Sequence, residues 1–485
     1  MDDDERLPLK LWPCSNGEYL PSPLDDLRRE AMRRARDAAD IHARRHGWSR
    51  RRFLTSAAGM AAGLVALEGA AADRARATGR ERGGRFRVDP AVARDQDAAC
   101  EVVHGPVGTA PVIDVQTHFL ENVETFGAGF PQAGCGEDDP GDCFSVDHWY
   151  DLVFNQSDTA VAVISAVPVV ADPDPLSIDA MERGRALADE LCGDGRVLVQ
   201  GHAVPDVGPI EAVEASMLEL ASTHALAAWK AYTHAPTGWA LDDHDPSAAP
   251  IGQRFIEAVR ASGVPIVAVH KGLSGGNRWA SPSDIGPAAA AHPDLAFCVY
   301  HSGYESGTPE RAYDADQEAS ALTGVDRLVR SAADAGIGPG GNVYAELGST
   351  WRIVMGNPDE AAHVLGKLLA AFGPDRILWG TDSIWYGSPQ DQIAAFRTFE
   401  ITPSFQEQYG YPALTDDVKA RILSHNAAAL YGIDVPSRRC PPVGEEESRS
   451  LANATLGPVS RRGVMSTFLR EHPWMTAPAR MSTDH

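Results

Sequence analysis

VIDVQTH (112–118), PIVAVHKG (265–272), AFCVYHSG (296–303) and RILWGTDS (376–383) are short apolar runs that each deliver a potential metal ligand: His118, His270, His301 and Asp382. Imidazole and carboxylate are the usual ligands and proton carriers of a hydrolytic divalent-metal site. One histidine after one strand would mean little. Four such groups at the same relative place, on runs spread over about 270 residues, predict one shared mouth.

Four further runs complete the pattern: TAVAVISAV (159–167), RVLVQGHAVP (196–205), ALAAWKAY (225–232) and VYAELGS (343–349). Most lack the alternation of a half-exposed strand and read as parallel strands buried on both faces. Amphipathic stretches separate several of them, as in IEAVEASMLELAST (210–223), IGQRFIEAVRAS (251–262) and DEAAHVLGKLLAAF (359–372). Eight β units with helical crossovers predict an α/β fold, a (β/α)8 TIM barrel, with its site at the C-terminal strand ends. The alternative is a doubly wound open sheet, but no Gly-rich phosphate loop follows the first strand.

The chain has 485 residues, 44% of them hydrophobic, enough for a sizeable core. Its net charge of −24 argues against nucleic acid as a partner and leaves a small-molecule substrate. That charge does not set the substrate's sign, because a metal site makes its own local field. Of only five lysines, Lys230 and Lys271 fall at the ends of barrel strands.

Four regions follow: 1–72, 73–109, the barrel at 110–433 and a tail at 434–485. Residues 28–52 hold ten arginines and three acids and end in SRRRFLT (49–55), followed by the Ala/Gly-rich run FLTSAAGMAAGLVAL (53–67) and small residues at 70–72. This layout reads as a signal peptide. The arginine pair resembles the twin-arginine export signal, which implies the twin-arginine machinery as a partner and a periplasmic or extracellular location. Cleavage after Ala72 or Ala77 is expected. The residues ahead of the arginines are long for such a signal. The tail, with its amphipathic piece VMSTFLREHPW (464–474), is expected on the barrel or on a second subunit of a homo-oligomer.

No CxxC pair exists among the seven cysteines, so zinc-ribbon and thioredoxin motifs are absent. Cys192 and Cys298 read as inert core residues. Cys135 and Cys143 bracket GCGEDDPGDC (134–143), where an exported protein can bridge them. The acidic pair in that loop reads as a solvated turn, with calcium binding as the alternative.

The barrel resembles the amidohydrolase-related family, including its aminocarboxymuconate-semialdehyde decarboxylase type. Members open with Asp-x-His-x-His on strand 1, place a histidine after strands 5 and 6, and an aspartate in a Gly-Thr-Asp turn after strand 8. Here stand I-D-V-Q-T-H, His270, His301 and W-G-T-D-S with Asp382; ILSHNAAALYG (422–432) is similar to the family's closing helix. Gln116 departs from the pattern, and a neutral amide oxygen is a poorer zinc ligand than imidazole. Three outcomes stay open: metal held by His118, His270 and Asp382 with Gln116 weak, a harder ion such as manganese in place of zinc, or a site without metal.

The resemblance implies His118 and His270 as ligands, Asp382 as ligand or proton acceptor, and His301 as acid–base. Gln116 and His118 share one side of their strand by the period of two. Each of these groups has a bland reading as a core or turn residue. Lys230 stands where relatives carry a metal-bridging lysine; here it is expected to ion-pair within the barrel or orient a substrate carboxylate. His234, Trp239, Trp279, Tyr304 and Trp385 are candidates for a substrate pocket. Lys271 is expected in a loop salt bridge, Glu346 behind a histidine, and His202 is undecided. The expected chemistry is metal-assisted hydrolysis of a C–N or C–O acyl bond. The alternatives are decarboxylation of an aromatic or unsaturated acid, and a metal-free binding protein on a decayed barrel.

Overall fold

In the computed structural model, residues 7–106, 109–126, 142–242, 250–273, 275–436 and 439–440 are described. All eight expected runs are strands: β1 (Val112–Thr117), β2 (Thr159–Ile164), β3 (Val197–Ala203), β4 (Leu226–Tyr232), β5 (Ile266–His270), β6 (Ala296–Tyr300), β7 (Val343–Glu346) and β8 (Ile377–Leu378). Each pairs with its successor in parallel. Closure comes from the segment after β8, which bonds to β1. Val115 N donates to Trp379 O at 3.0 Å, Asp382 N donates to Gln116 O at 2.9 Å, and Thr117 bridges Ser383 in parallel.

Alternate residues of the apolar strands serve two layers. Ile113, Val115, Val161, Val163, Ala268, Cys298 and Leu378 fill the inner cluster, which Ala427 joins from the closing helix. Val267, Val269, Phe297, Val299 and Ala345 pack outward, beneath the helices. Each fully buried side chain of this size contributes about 1.5–3 kcal/mol, which is why these runs show no polar face. In β1 a register shift between Asp114 and Thr117 breaks the alternation, so Gln116 and His118 reach the mouth although Ile113 and Val115 face inward. Asn426, in the expected closing helix, donates to Pro374 O and Ile377 O, both at 2.8 Å, tying the helix to the base of β8.

The N-terminal region is part of the same body. Helices α1 (Asp26–His46), α2 (Arg50–Leu54) and α3 (Ala57–Thr78) pack on one another and on the barrel. Asp25 caps α1 by accepting from Arg28 N at 2.8 Å, and Gly47 ends it in the left-handed region. The Ala/Gly-rich run that reads as a signal core is the buried first half of α3, with Ala58, Ala61, Leu64 and Leu67 fully enclosed. Between these helices and the barrel runs a strap, residues 7–25, whose Leu7, Leu9 and Leu11 are buried. A side chain at Gly63 would crowd Leu9, its Cβ lying 3.1 Å from Leu9 Cβ. Lys10 Nζ reaches Asp391 at 2.7 Å and Ser388 O at 2.8 Å. Among the described residues no helix is long and apolar enough to cross a membrane.

The cysteines correct one expectation. Cys192 is not an inert core thiol but is bridged to Cys440, 248 positions away, with Cα atoms 5.1 Å apart. So distant a partner leaves no local spacing to read. Cys298 is a buried free thiol, as expected. Cys143 is disulfide-bonded; Cys135, its expected partner, the acidic pair beside it and the tail beyond residue 440 lie outside the described residues.

Candidate active site

Three histidines from three strand ends are held by backbone carbonyls. His118 Nδ1 meets Ser165 O at 2.6 Å, His270 Nε2 meets Gly272 O at 3.0 Å, and His301 Nδ1 meets Gly348 O at 2.7 Å. A carbonyl only accepts, so the nitrogen beside it carries the proton and the other is left for a ligand. For His270 and His301 those remaining nitrogens, Nδ1 and Nε2, lie 3.1 Å apart. Burial keeps both rings neutral, pushing His301 down to about 4 and His270 well below its ordinary value. The Nε2 of His118 stands 3.0 Å from Asp382 Oδ1.

Asp382 also accepts from Gln116 Nε2 at 3.0 Å, Asn16 Nδ2 at 2.9 Å and Ser349 Oγ at 2.5 Å. Burial would raise its carboxyl; the neighbouring His118 and His301 imidazoles and the Ser349 hydroxyl outweigh that and hold it below the usual range. Gln116 therefore acts here as a donor to Asp382, and its own Oε1 has no hydrogen-bond partner among the described residues.

Backbone strain is concentrated at the same strand ends. His301, Ser302, Ser349 and Asp382 all have positive φ, between 52° and 64°, at a cost of about 1–3 kcal/mol each. Two buried carboxyls offset that cost. Glu346 accepts from His301 N at 3.0 Å and Gly348 N at 2.6 Å. Asp114 accepts from Gln116 N at 3.1 Å and Thr381 N at 3.0 Å, and from the Thr381 hydroxyl. Burial lifts Glu346 to about 8 and Asp114 to about 7. Glu346 thus positions a histidine, as expected, but through the backbone. The turn after β8 needs glycine at 380, where a Cβ would lie 1.7 Å from Glu346 Oε1.

The strap supplies what sequence reasoning missed. Its turn from Ser15 to Glu18 enters the mouth, and Asn16 Nδ2 donates to both Asp382 and Glu18 Oε2, the latter at 2.5 Å. Glu18 Oε1 lies 3.5 Å from His270 Nδ1, and Oε2 lies 3.9 Å from His301 Nε2. Ligand atoms of Glu18, His270 and His301 all fall within 4.8 Å of one another. Two imidazole nitrogens and a carboxylate suit a divalent ion of the zinc or manganese kind. His118 and Asp382 form a neighbouring pair, joined to this cluster through Asn16. No signal near residue 18 marks it, since its partners are some 250 positions away.

The remaining candidates divide by place. Lys230 Nζ is buried 3.8 Å over the Tyr300 ring and 4.5 Å over the Tyr232 ring, with no hydrogen-bond partner among the described residues. Burial pulls it down to about 7. The His234 ring lies 4.5 Å from that of His270, and Trp385 stacks on His118 at 5.8 Å. His202 packs edge-on to Tyr232. Tyr304 turns its hydroxyl to Glu360 at 3.2 Å, Trp239 packs on Phe255, and Trp279 stacks with Arg278 at a half-exposed position. Lys271 makes the expected loop bridge, to Asp284 at 2.8 Å.

With strand-end histidines and a carboxylate gathered on a closed barrel, the comparison with known proteins is specific about family. The profile described as "Amidohydrolase" matches residues 113–433. The chain belongs to the amidohydrolase family. It is an enzyme of that family. No curated protein matches the chain. Similar solved structures include 5-carboxyvanillate decarboxylase from Sphingomonas paucimobilis, 14% identical, covering 67% of this chain and 100% of that one, TM-score 0.37. Others are 2,6-dihydroxybenzoate decarboxylase from Rhizobium (14% identical; 67% and 99% covered; TM-score 0.37) and dihydroorotase from Campylobacter jejuni (14% identical; 67% and 84% covered; TM-score 0.36). At such values these structures say nothing of the reaction.

Proposed function

We propose that this amidohydrolase-family enzyme carries out metal-dependent hydrolysis of a C–N or C–O acyl bond in a small organic substrate. The observation that carries the reading is the convergence of three carbonyl-held imidazoles and the Asp382 carboxylate at the C-terminal mouth of the barrel. His118, His270 and Asp382 would hold the ion, with zinc or manganese fitting these donors. A bound ion of this kind polarises an acyl oxygen and makes water a nucleophile at neutral pH. His301, its Nδ1 committed to Gly348 O, keeps Nε2 free to take the water's proton and return it to the leaving group. Gln116, Asn16 and Ser349 fix the Asp382 carboxylate, and Trp385 walls the His118 side.

Decarboxylation of an aromatic or unsaturated acid is the second reading, supported by Lys230. A buried amine without a hydrogen-bond partner is costly, and a substrate carboxylate would satisfy it. The disulfide between Cys192 and Cys440 supports a location outside the reducing cytoplasm.

The test is metal content and turnover of the full chain beside His118→Ala, on a panel of amides, lactones and aromatic acids. Loss of an orienting partner alone costs about 10–100-fold; removing a ligand or stripping the ion with a chelator should cost at least as much. Undiminished turnover by metal-free protein would rule the reading out.

A further inference from the structure

We propose that Glu18 is a metal ligand of this enzyme, brought to the barrel by the strap in place of the ligand that Gln116 does not provide, and that the working enzyme therefore retains residues 7–25. The inference rests on the metal-centred reading above.

The chemistry of the cluster leads to it. His270 Nδ1 and His301 Nε2 are the nitrogens left without protons, because the opposite nitrogen of each ring faces a carbonyl. They lie 3.1 Å apart, with the Glu18 oxygens at 3.5 and 3.9 Å. Three electron-pair donors thus face one another, and a cation held by Glu18 and His270 would relieve that repulsion while leaving His301 Nε2 to handle the proton. Ligand atoms about 2.0–2.1 Å from a tetrahedral zinc ion stand roughly 3.3 Å from each other, close to the separations here. The Nε2 of Gln116 is already committed as a donor to Asp382.

The strap is built to hold Glu18 there. Gly17, at φ 94°, allows the tight turn, and Gly17 N donates to Ser15 Oγ at 2.9 Å. Glu18 N donates to Asn16 Oδ1 at 3.0 Å. Tyr19 OH donates to Cys14 O at 2.9 Å, and Ser15 Oγ donates to Tyr19 O at 2.6 Å. Farther back, Lys10 neutralises the fully buried Asp391. A lid would not need an anchor that leaves a buried carboxylate unpaired whenever it opens. The same placement explains the long stretch ahead of SRRRFLT, which carries a side chain to the site.

The experiment compares the full chain with Glu18→Gln and Glu18→His, each stripped of metal and titrated with zinc against a competing chelator. Metal-free thermal midpoints and the intact mass of the active, zinc-loaded species are recorded as well. Expected are one zinc per chain in the wild type, affinity at least about 10-fold weaker in Glu18→Gln, and recovery in Glu18→His. The metal-free midpoint of Glu18→Gln should not fall, since the neutral amide replaces a buried carboxyl beside Asp382. If it does fall, the His variant decides: affinity no better than that of the Gln variant overturns the proposal. Wild-type zinc affinity in Glu18→Gln overturns it while leaving the hydrolase reading intact, all the more if turnover rises, as for a carboxylate that merely blocks the mouth. No zinc in the wild type overturns both. An active, zinc-loaded species that begins after Ala72 overturns retention of the strap.

Discussion

At Lys230 an amine sits fully buried against two tyrosine faces, without a hydrogen-bond partner among the described residues. An apolar side chain of similar length would suit that pocket better, so the lysine costs stability for some other return. Lys230→Met should raise the melting free energy by about 1 kcal/mol. It should also lower kcat/KM on carboxylate-bearing substrates by about 10–100-fold, the worth of one charged hydrogen bond. Neutral amides should be spared. Acids and amides turned over with unchanged ratio would remove the support for decarboxylation. The position of Lys230 at a strand end was readable from the chain, as were His118, His270, His301 and Asp382, because each follows an apolar run that marks its own place in the barrel. That Asp114 holds the Thr381 turn, and that Gln116 donates to Asp382, depends on closure of β1 against the segment after β8.

At the scale of elements, α1, α3 and the strap show where local sequence leaves two outcomes open. An arginine-rich stretch followed by an Ala/Gly-rich apolar run has the same composition whether it addresses a translocon or packs on a barrel. Small residues suit α3 here because the strap passes close over it, Leu9 against Gly63. The strap's anchor makes a measurable prediction. Removing one partner of a buried pair costs about 3–5 kcal/mol, and Asp391 is 0% exposed. Lys10→Met should therefore destabilise the chain by about 3 kcal/mol in denaturant unfolding, since the neighbouring Lys10 N–H bond to Asp391 remains. A loss below about 1 kcal/mol, the worth of an exposed pair, would mean the strap is loosely held. The β strands and the principal crossover helices were readable because their periodicity is local; their bridge to the tail, Cys192 with Cys440, was not.

For the whole molecule, the buried imidazoles set the acid limb of stability. Burial holds His202, His234, His301 and His363 at about 4 and His270 well below its ordinary value, against 6.5 when exposed. A folded value below the unfolded one means stability that is present above pH 6.5 and lost as pH falls through the folded value. Glu18 and Glu346, raised to about 8, and Asp114, raised to about 7, work the other way, gaining as pH falls until they reach their ordinary 4.5 and 3.8. The metal-free thermal midpoint should therefore drop between pH 6.5 and 4, most steeply below about 4.5. A midpoint that holds or rises across that window would contradict the neutral imidazoles on which the metal site depends. By itself the sequence determined the barrel, its polarity and four of the groups at its mouth, because apolar period and strand-end position are properties of short segments. Only the tertiary structure decided which groups meet: Glu18 and Asn16 enter the site, Gln116 turns to Asp382, and Lys230 has no hydrogen-bond partner among the described residues. Those outcomes come from surfaces that exist only after the strap, the helices and the closed sheet have packed together.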